Sequence, residues 1–260
     1  MGTSVMEKRY GLIQQNAGIG DIFYTQKIAK RLIDSGMVEK IIWPVLDVYD
    51  YMNEYMGSDT IQYVPIRDFK DPTGLYNKAQ KLEAQRVENI SDDYDNTHWI
   101  YIPLEFSDKK FPGLSVMLAK YKFCNMLEEH HDWEDYFSFK RFEEKELQLR
   151  DLVGVKEGKD FILTSGVYGT PPNSLKRRIP YEGKKKIIQI KCYPEFSVFD
   201  WCWLFENASE IHMVETCFIY ILEKLQLKGK VFNLYSKWNP AFWHHIGHIP
   251  KRVKWNFCNW

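Results

Sequence analysis

The sequence predicts an α/β fold made of two parallel-sheet halves. Three observations lead there. Short apolar runs rich in β-branched and aromatic residues alternate with longer segments of helical periodicity. A charge-dense stretch, HHDWEDYFSFKRFEEKELQLRDLVGVKEGKD, interrupts that alternation near residue 150 and separates two rounds of it. Within each round the strands are joined through helices, as parallel neighbours require.

The elements follow in order. YGLIQQ is the first strand, and IFYTQKIAKRLIDSG is a helix that stops on Gly36. KIIWPVLD is the second strand, followed by a short helix in DVYDYMNEYM, and IQYVPI is the third. The polar span from Asp68 to Asp95 holds a helix in LYNKAQKLEAQRVE. HWIYIPL is the fourth strand and SVMLAKYKFCNMLEE a helix. The charge-dense stretch ends in Gly154 and Gly158 and carries a helix into the second half. There FILTSG, KKIIQIK, EIHMV and KVFNLY read as strands, FDWCWLFENA and TCFIYILEKLQLKG as helices, and VYGTPPNSLKRRIPYEGK as a loop. The expected architecture is therefore two Rossmann-like domains, residues 1–150 and 151–260, facing a shared cleft.

Bulk composition bounds the function. The chain is 45% hydrophobic and 27% charged, ordinary for a globular protein. Lys+Arg 35 balances Asp+Glu 35, which argues against a dedicated nucleic-acid binder. The nine Trp read first as core. The five cysteines show no paired spacing and read as the reduced thiols of an intracellular protein. With no signal-peptide core and no apolar run long enough to span a bilayer, the expectation is a cytoplasmic protein without a transmembrane segment.

In open parallel sheets, ligands bind beyond the C-terminal ends of the strands. Three loops there carry candidate chemistry. The first, NAGIGD, lacks the third glycine of a dinucleotide fingerprint and the Gly-Lys-Ser/Thr of a P-loop. What remains is a turn lined by Gly18 and Gly20 that opens a helix and suits anions or hydroxyls. Asp21 stands at or near the helix N-cap, where a carboxylate serves equally as a plain cap. The second, SGVYGTPPNSLKRR, holds Gly166 and Gly169, then Lys176, Arg177 and Arg178. Glycine permits close backbone approach and the basic cluster suits a diphosphate; the alternative is a Pro-rich surface loop with solvated charges. The third places Glu215, Thr216 and Cys217 at the start of an apolar helix. A phosphate suits Thr216 and the first amides, and ribose hydroxyls suit Glu215, while capping again explains the same residues. His212 reads as a core histidine. His244, His245 and His248 have i, i+3, i+4 relations, but Gly247 and Pro250 oppose a helix and no other ligand stands nearby, so no metal site is expected. No nucleophile elbow or Cys–His signature is present.

Through these loops the sequence resembles the GT-B superfamily of glycosyltransferases, in particular the lipopolysaccharide heptosyltransferase type. NAGIGDIFYTQKIAKRL is similar to that family's first strand-to-helix turn, and the resemblance implies that Asp21 is the general base on the acceptor hydroxyl. IHMVETCFIYILEKL is similar to the family's Val-Asp-Thr helix start at the donor diphosphate, with Glu215 in place of Asp, Thr216 retained, Cys217 in place of Gly and Tyr220 in place of His. Glu215 and Glu223 also have the E-x7-E spacing of retaining GT-B enzymes, a short match in a Glu-rich chain. DWEDYFSFKRFEEKE and FDWCWLFENASEIH resemble uncharacterised GT-B-like proteins of large viruses and phages.

The resemblance implies a glycosyltransferase that moves a sugar from a nucleotide-diphosphate sugar to a glycan or other hydroxyl acceptor, inverting and metal-independent, with no further cofactor. Gly166, Gly169, Lys176, Arg177, Arg178, Glu215, Thr216 and Cys217 would then be the donor side, and Gly18 and Gly20 the acceptor loop. The alternatives are a non-catalytic nucleotide- or sugar-binding protein on the same scaffold and a sugar-nucleotide epimerase.

Overall fold

The computed structural model describes residues 8–15, 18–66, 97–104, 107–169, 175–181, 183–227, 229–237 and 252–258. The chain divides into two units. The first is Met1–Ala17 with Thr25–Phe137, and the second is Gly18–Tyr24 with Ser138–Trp260.

In the first unit, β1 (Lys8–Gln14), β2 (Lys40–Leu46), β3 (Ile61–Ile66) and β4 (Thr97–Pro103) form one sheet in the order β3-β2-β1-β4. Every pairing is parallel, as the alternation predicts. Leu12, Ile13, Ile41, Ile42 and Trp43 are fully buried, the continuous apolar reading of strands covered on both faces. Pro44 sits within β2, where a missing N–H would break a central ladder. The register resolves this. Pairing with β1 ends at Ile42, so Pro44 faces a partner only in β3, at Val64.

The single helix expected over 22–36 is two helices, Ile19–Tyr24 and Gln26–Asp34. Thr25 breaks them. Its hydroxyl donates to Gln15 Oε1 at 3.2 Å, and its carbonyl accepts from Ile28 and Ala29 to open the second helix. The helix expected over 115–129 is also shorter. Ser115 caps Val116–Phe123 by accepting from the Leu118 amide, and Asn125, at φ 56°, ends it before a 3-10 turn at Leu127–Asp132. That turn is held by Lys27, buried at 3% exposure, which donates to Glu129 O at 2.6 Å and Asp132 Oδ1 at 2.5 Å. The hydrogen bond from Lys27 holds the Asp132 carboxyl below its ordinary range. The helix expected in LYNKAQKLEAQRVE lies outside the described residues.

In the second unit, β5 (Phe161–Ser165) is followed by a ribbon of β6 (Val167–Tyr168) and β7 (Leu175–Lys176), then β8 (Lys186–Gln189), β9 (Glu210–Val214), β10 (Val231–Tyr235) and β11 (Trp255–Cys258). The main sheet runs β11-β10-β9-β5-β8, all parallel, and the ribbon pairs antiparallel. The ribbon stands where the sequence predicts only a loop, and β11 is a strand that the sequence pattern does not announce. Ser197 and Asp200 form a reciprocal capping box that starts Val198–Trp201, which continues as the helix Cys202–Asn207. Arg141 forks between Glu146, at 2.6 Å, and Glu206, at 2.8 Å, and so ties Glu143–Leu152 to that helix.

The helix expected across TCFIYILEKLQLKG reduces to Phe218–Leu222. Glu223, which follows it, is buried, and its carboxylate accepts from the amides of Arg252 and Val253, both at 2.9 Å. Those bonds anchor the entry into β11. Glu223→Ala leaves two amides without their acceptor and is expected to cost about 2–4 kcal/mol, read from urea unfolding. A change below about 0.5 kcal/mol contradicts the anchoring. The same bonds commit Glu223 to the backbone, so the E-x7-E spacing with Glu215 does not make a pair of free carboxylates. All five cysteines are free. Among the described residues no helix is long and apolar enough to cross a membrane.

Candidate active site at the strand ends of the second unit

The strand order fixes where a ligand is expected. From β5 the chain passes to β8 on one side, and from β9 it continues to β10 and β11 on the other. The topological switch point therefore lies between β5 and β9, and a crevice outside their C-terminal ends is the expected binding position. Gly166 follows β5 there, and Glu215, Thr216 and Cys217 follow β9.

The turn after β9 is held by backbone bonds. The Glu215 amide donates to Tyr235 O at 3.1 Å, and the amides of Ile219 and Tyr220 return to Thr216 O and Cys217 O at 3.2 Å each. Thr216 Oγ1 is buried and, among the described residues, has no hydrogen-bond partner. A buried hydroxyl left without a partner costs stability, which makes Thr216 a candidate to meet a ligand at this strand end. Burial pushes the Cys217 thiol up to about 12, with the Lys237 charge acting in the opposite sense. Cys217 is therefore a thiol at neutral pH, a packing residue rather than a nucleophile.

The Gly18–Tyr24 segment packs against this turn within the same unit. A Cβ on Gly20 would stand 3.3 Å from the Cys217 backbone and 2.9 Å from Tyr220 Cε2, so a side chain there would press on the Tyr220 ring and crowd the Cys217 backbone. Asp21 is not the N-cap: the helix begins at Ile19, and Asp21 is its third residue, with its amide on Gly18 O at 2.9 Å. Its carboxylate is half-buried and, together with that of Glu215, acts on the buried Tyr220 phenol. Gly18, Gly20, Asp21, Glu215, Thr216 and Cys217 thus gather around one strand end.

The basic loop is placed less directly. Gly166 is buried, and its carbonyl accepts from the Arg177 amide at 2.9 Å. A Cβ there would fall 2.0 Å from Arg177 O, so the missing side chain makes room for the chain's own ribbon. Tyr168 on that ribbon clusters with Val214 and Tyr235, the residues at the ends of β9 and β10, and Ile179 packs on the same cluster. The ribbon is anchored at the site, with Lys176 and Arg178 exposed and Arg177 half-buried. Gly169 is exposed at φ 93° just beyond β6.

His212 is buried beside Glu210, 3.2 Å from its Oε2, and faces Tyr181, the satisfied core histidine the sequence suggests. His244, His245 and His248 lie outside the described residues. Among the described residues no three His, Cys, Asp or Glu side chains are grouped to hold a metal ion. Two further residues stand beside these candidates. Lys237 follows the end of β10, close enough for its charge to act on Cys217, and the strand-end rule applied to KVFNLYSK finds it. Tyr220 is the other; in the sequence it stands out only where the resembling family has a His.

No protein-family model matches the sequence, and no curated protein sequence matches it. The structure is similar to that of a glycosyl transferase family 9 protein from Veillonella parvula, with TM-score 0.52 and 12% identity over 100% of this chain and 89% of that one. Escherichia coli ADP-heptose lipopolysaccharide heptosyltransferase II is 8% identical over 96% of this chain and 90% of its own, with TM-score 0.49. The E. coli heptosyltransferase WaaC with ADP aligns at TM-score 0.42 and 10% identity, over 96% and 90%. At 12% identity the first likeness is one of fold, and that fold is the GT-B-like pair of Rossmann-like units.

Proposed function

We propose that the protein is a glycosyltransferase that takes a sugar from a nucleotide-diphosphate donor to a hydroxyl acceptor. The observation that supports it most lies at the switch point of a parallel sheet. There the backbone just before Asp21 lies against the turn of Cys217 and Tyr220, Asp21 and Glu215 both act on Tyr220, and the open Thr216 hydroxyl stands in the same turn. A carboxylate beside a ligand-facing strand end has the chemistry of a general base. The likeness in fold to a family 9 glycosyltransferase points the same way.

In this reading the Asp21 carboxylate takes the proton of the acceptor hydroxyl. The acceptor oxygen attacks the anomeric carbon, and the bond to the diphosphate breaks on the opposite face. The nucleoside diphosphate leaves with the bonding pair, and the configuration inverts. Thr216 donates to a phosphate oxygen and Glu215 accepts from ribose hydroxyls. Lys176, Arg177, Arg178 and Lys237 are the cations available to the departing diphosphate, so the step needs no metal.

The test is a thermal-shift panel of ADP-, UDP-, GDP- and dTDP-linked sugars against the protein. A donor at about a hundred times its Kd stabilises the folded state by about 2.7 kcal/mol and raises the midpoint accordingly. Thr216→Val is expected to weaken that donor about tenfold, since it removes one hydrogen bond to a charged group. A flat panel, or a shift that Thr216→Val leaves intact, contradicts the assignment.

A further inference from the structure

The Ile19–Tyr24 helix is six residues long, too short to hold its own shape in water. Something outside it must fix the direction of Asp21. Tyr220 is placed to do so. Its Cε2 and Cδ2 lie 2.9 and 3.4 Å from where a Gly20 Cβ would be, so the ring lies against the backbone immediately before Asp21. One turn further on, the ring meets Tyr24, with centroids 6.2 Å apart. The ring therefore spans the turn that carries the carboxylate. Its burial, and the negative charges of Asp21 and Glu215, push the phenol well above its ordinary range. It stays neutral through the physiological range and adds no charge beside the two carboxylates.

We infer that Tyr220 is the positioning residue for Asp21: its ring occupies the space Gly20 leaves open and locks the first turn of the Ile19–Tyr24 helix onto the strand end that carries Glu215 and Thr216. The inference rests on the assignment of Asp21 as general base. It assigns Gly20 a reason as well, since a side chain there would displace the ring.

Two readouts test it, one independent of activity. In Tyr220→Ala, amide exchange over Gly18–Tyr24 is expected to accelerate about tenfold or more, while Gln26–Asp34 stays unchanged. Turnover kcat falls about tenfold to a hundredfold with donor KM held within about threefold, the signature of a misplaced catalytic group. Tyr220→Phe keeps the ring and is expected to retain both properties within about threefold. Gly20→Ala presses on the same contact from the other side and should reproduce the alanine result, which covers the case where Tyr220→Ala fails to fold. Unchanged exchange over Gly18–Tyr24 in both Tyr220→Ala and Gly20→Ala overturns the anchoring. Faster exchange with unchanged kcat overturns the positioning role. If instead Asp21→Asn remains fully active, the base assignment fails, and the exchange result still decides whether Tyr220 holds the turn.

Discussion

Asp21→Asn is expected to lower sugar transfer about a thousandfold, within the range a positioned general base contributes, while donor affinity stays within about twofold. Asparagine matches aspartate in shape, so the Asp21 amide bond to Gly18 O and the seat of Gly20 against Tyr220 persist. The carboxamide is not basic enough to take the acceptor proton. A purely helix-terminal role predicts something different. A carboxylate in the first turn is worth about 0.3–1 kcal/mol of stability through the helix dipole, and less in so short a helix. The variant would then lose a little stability and no turnover. Steady-state kinetics beside a donor titration separates the two, and unchanged kcat removes Asp21 from the mechanism.

Gly166→Ala is expected to be the most damaging single substitution near the site. The new Cβ would fall 2.0 Å from Arg177 O and 3.2 Å from Arg177 C, both backbone atoms. No rotamer change relieves a clash with backbone. The Arg177 amide bond to Gly166 O must open, and with it the packing of Tyr168 and Ile179 on Val214 and Tyr235. A cost of about 3 kcal/mol follows, within the range of overpacking plus a lost buried hydrogen bond. Because the ribbon carries Lys176 and Arg177, donor affinity should fall about tenfold as well. Urea unfolding and a donor titration read both. A variant as stable as the parent, within about 0.5 kcal/mol, contradicts the packing role.

The parallel sheets are legible in the sequence because their central strands carry continuous apolar runs. FILTS is buried at every position, and period-2 alternation is not needed to find it. Each candidate loop is legible by the strand-end rule, which needs only strand order. The parts that escape depend on contacts distant in sequence. Thr25 breaks a continuous helical pattern because Gln15 takes its hydroxyl. The β6–β7 ribbon is closed by a Gly166–Arg177 approach that no local pattern encodes. Among the described residues β11 pairs only with β10, and it is seated by Glu223 from elsewhere in the chain. Asp21 reads one way locally and another by resemblance. Its place as the third residue of a helix packed on Tyr220 and Cys217 emerges only in the folded chain.

The helix after β9 also bears on the electrostatics of the proposed donor side. Five residues, Phe218–Leu222, sum to a small dipole, so in the proposed reaction the diphosphate charge would fall to side chains and single amides rather than to a long helix. That makes Thr216 and the nearby lysines and arginines the groups to substitute.

Turnover at this strand end is decided by following nucleoside diphosphate release beside calorimetric binding in one sample. The wild-type protein is incubated with the nucleotide-sugar that shifts its unfolding midpoint. Slow release without acceptor, faster release with a hydroxyl acceptor and loss of both in Asp21→Asn are the expected results. Tight binding with no release, across a broad acceptor panel, would contradict a transferase and leave a nucleotide-sugar-binding protein on a glycosyltransferase fold.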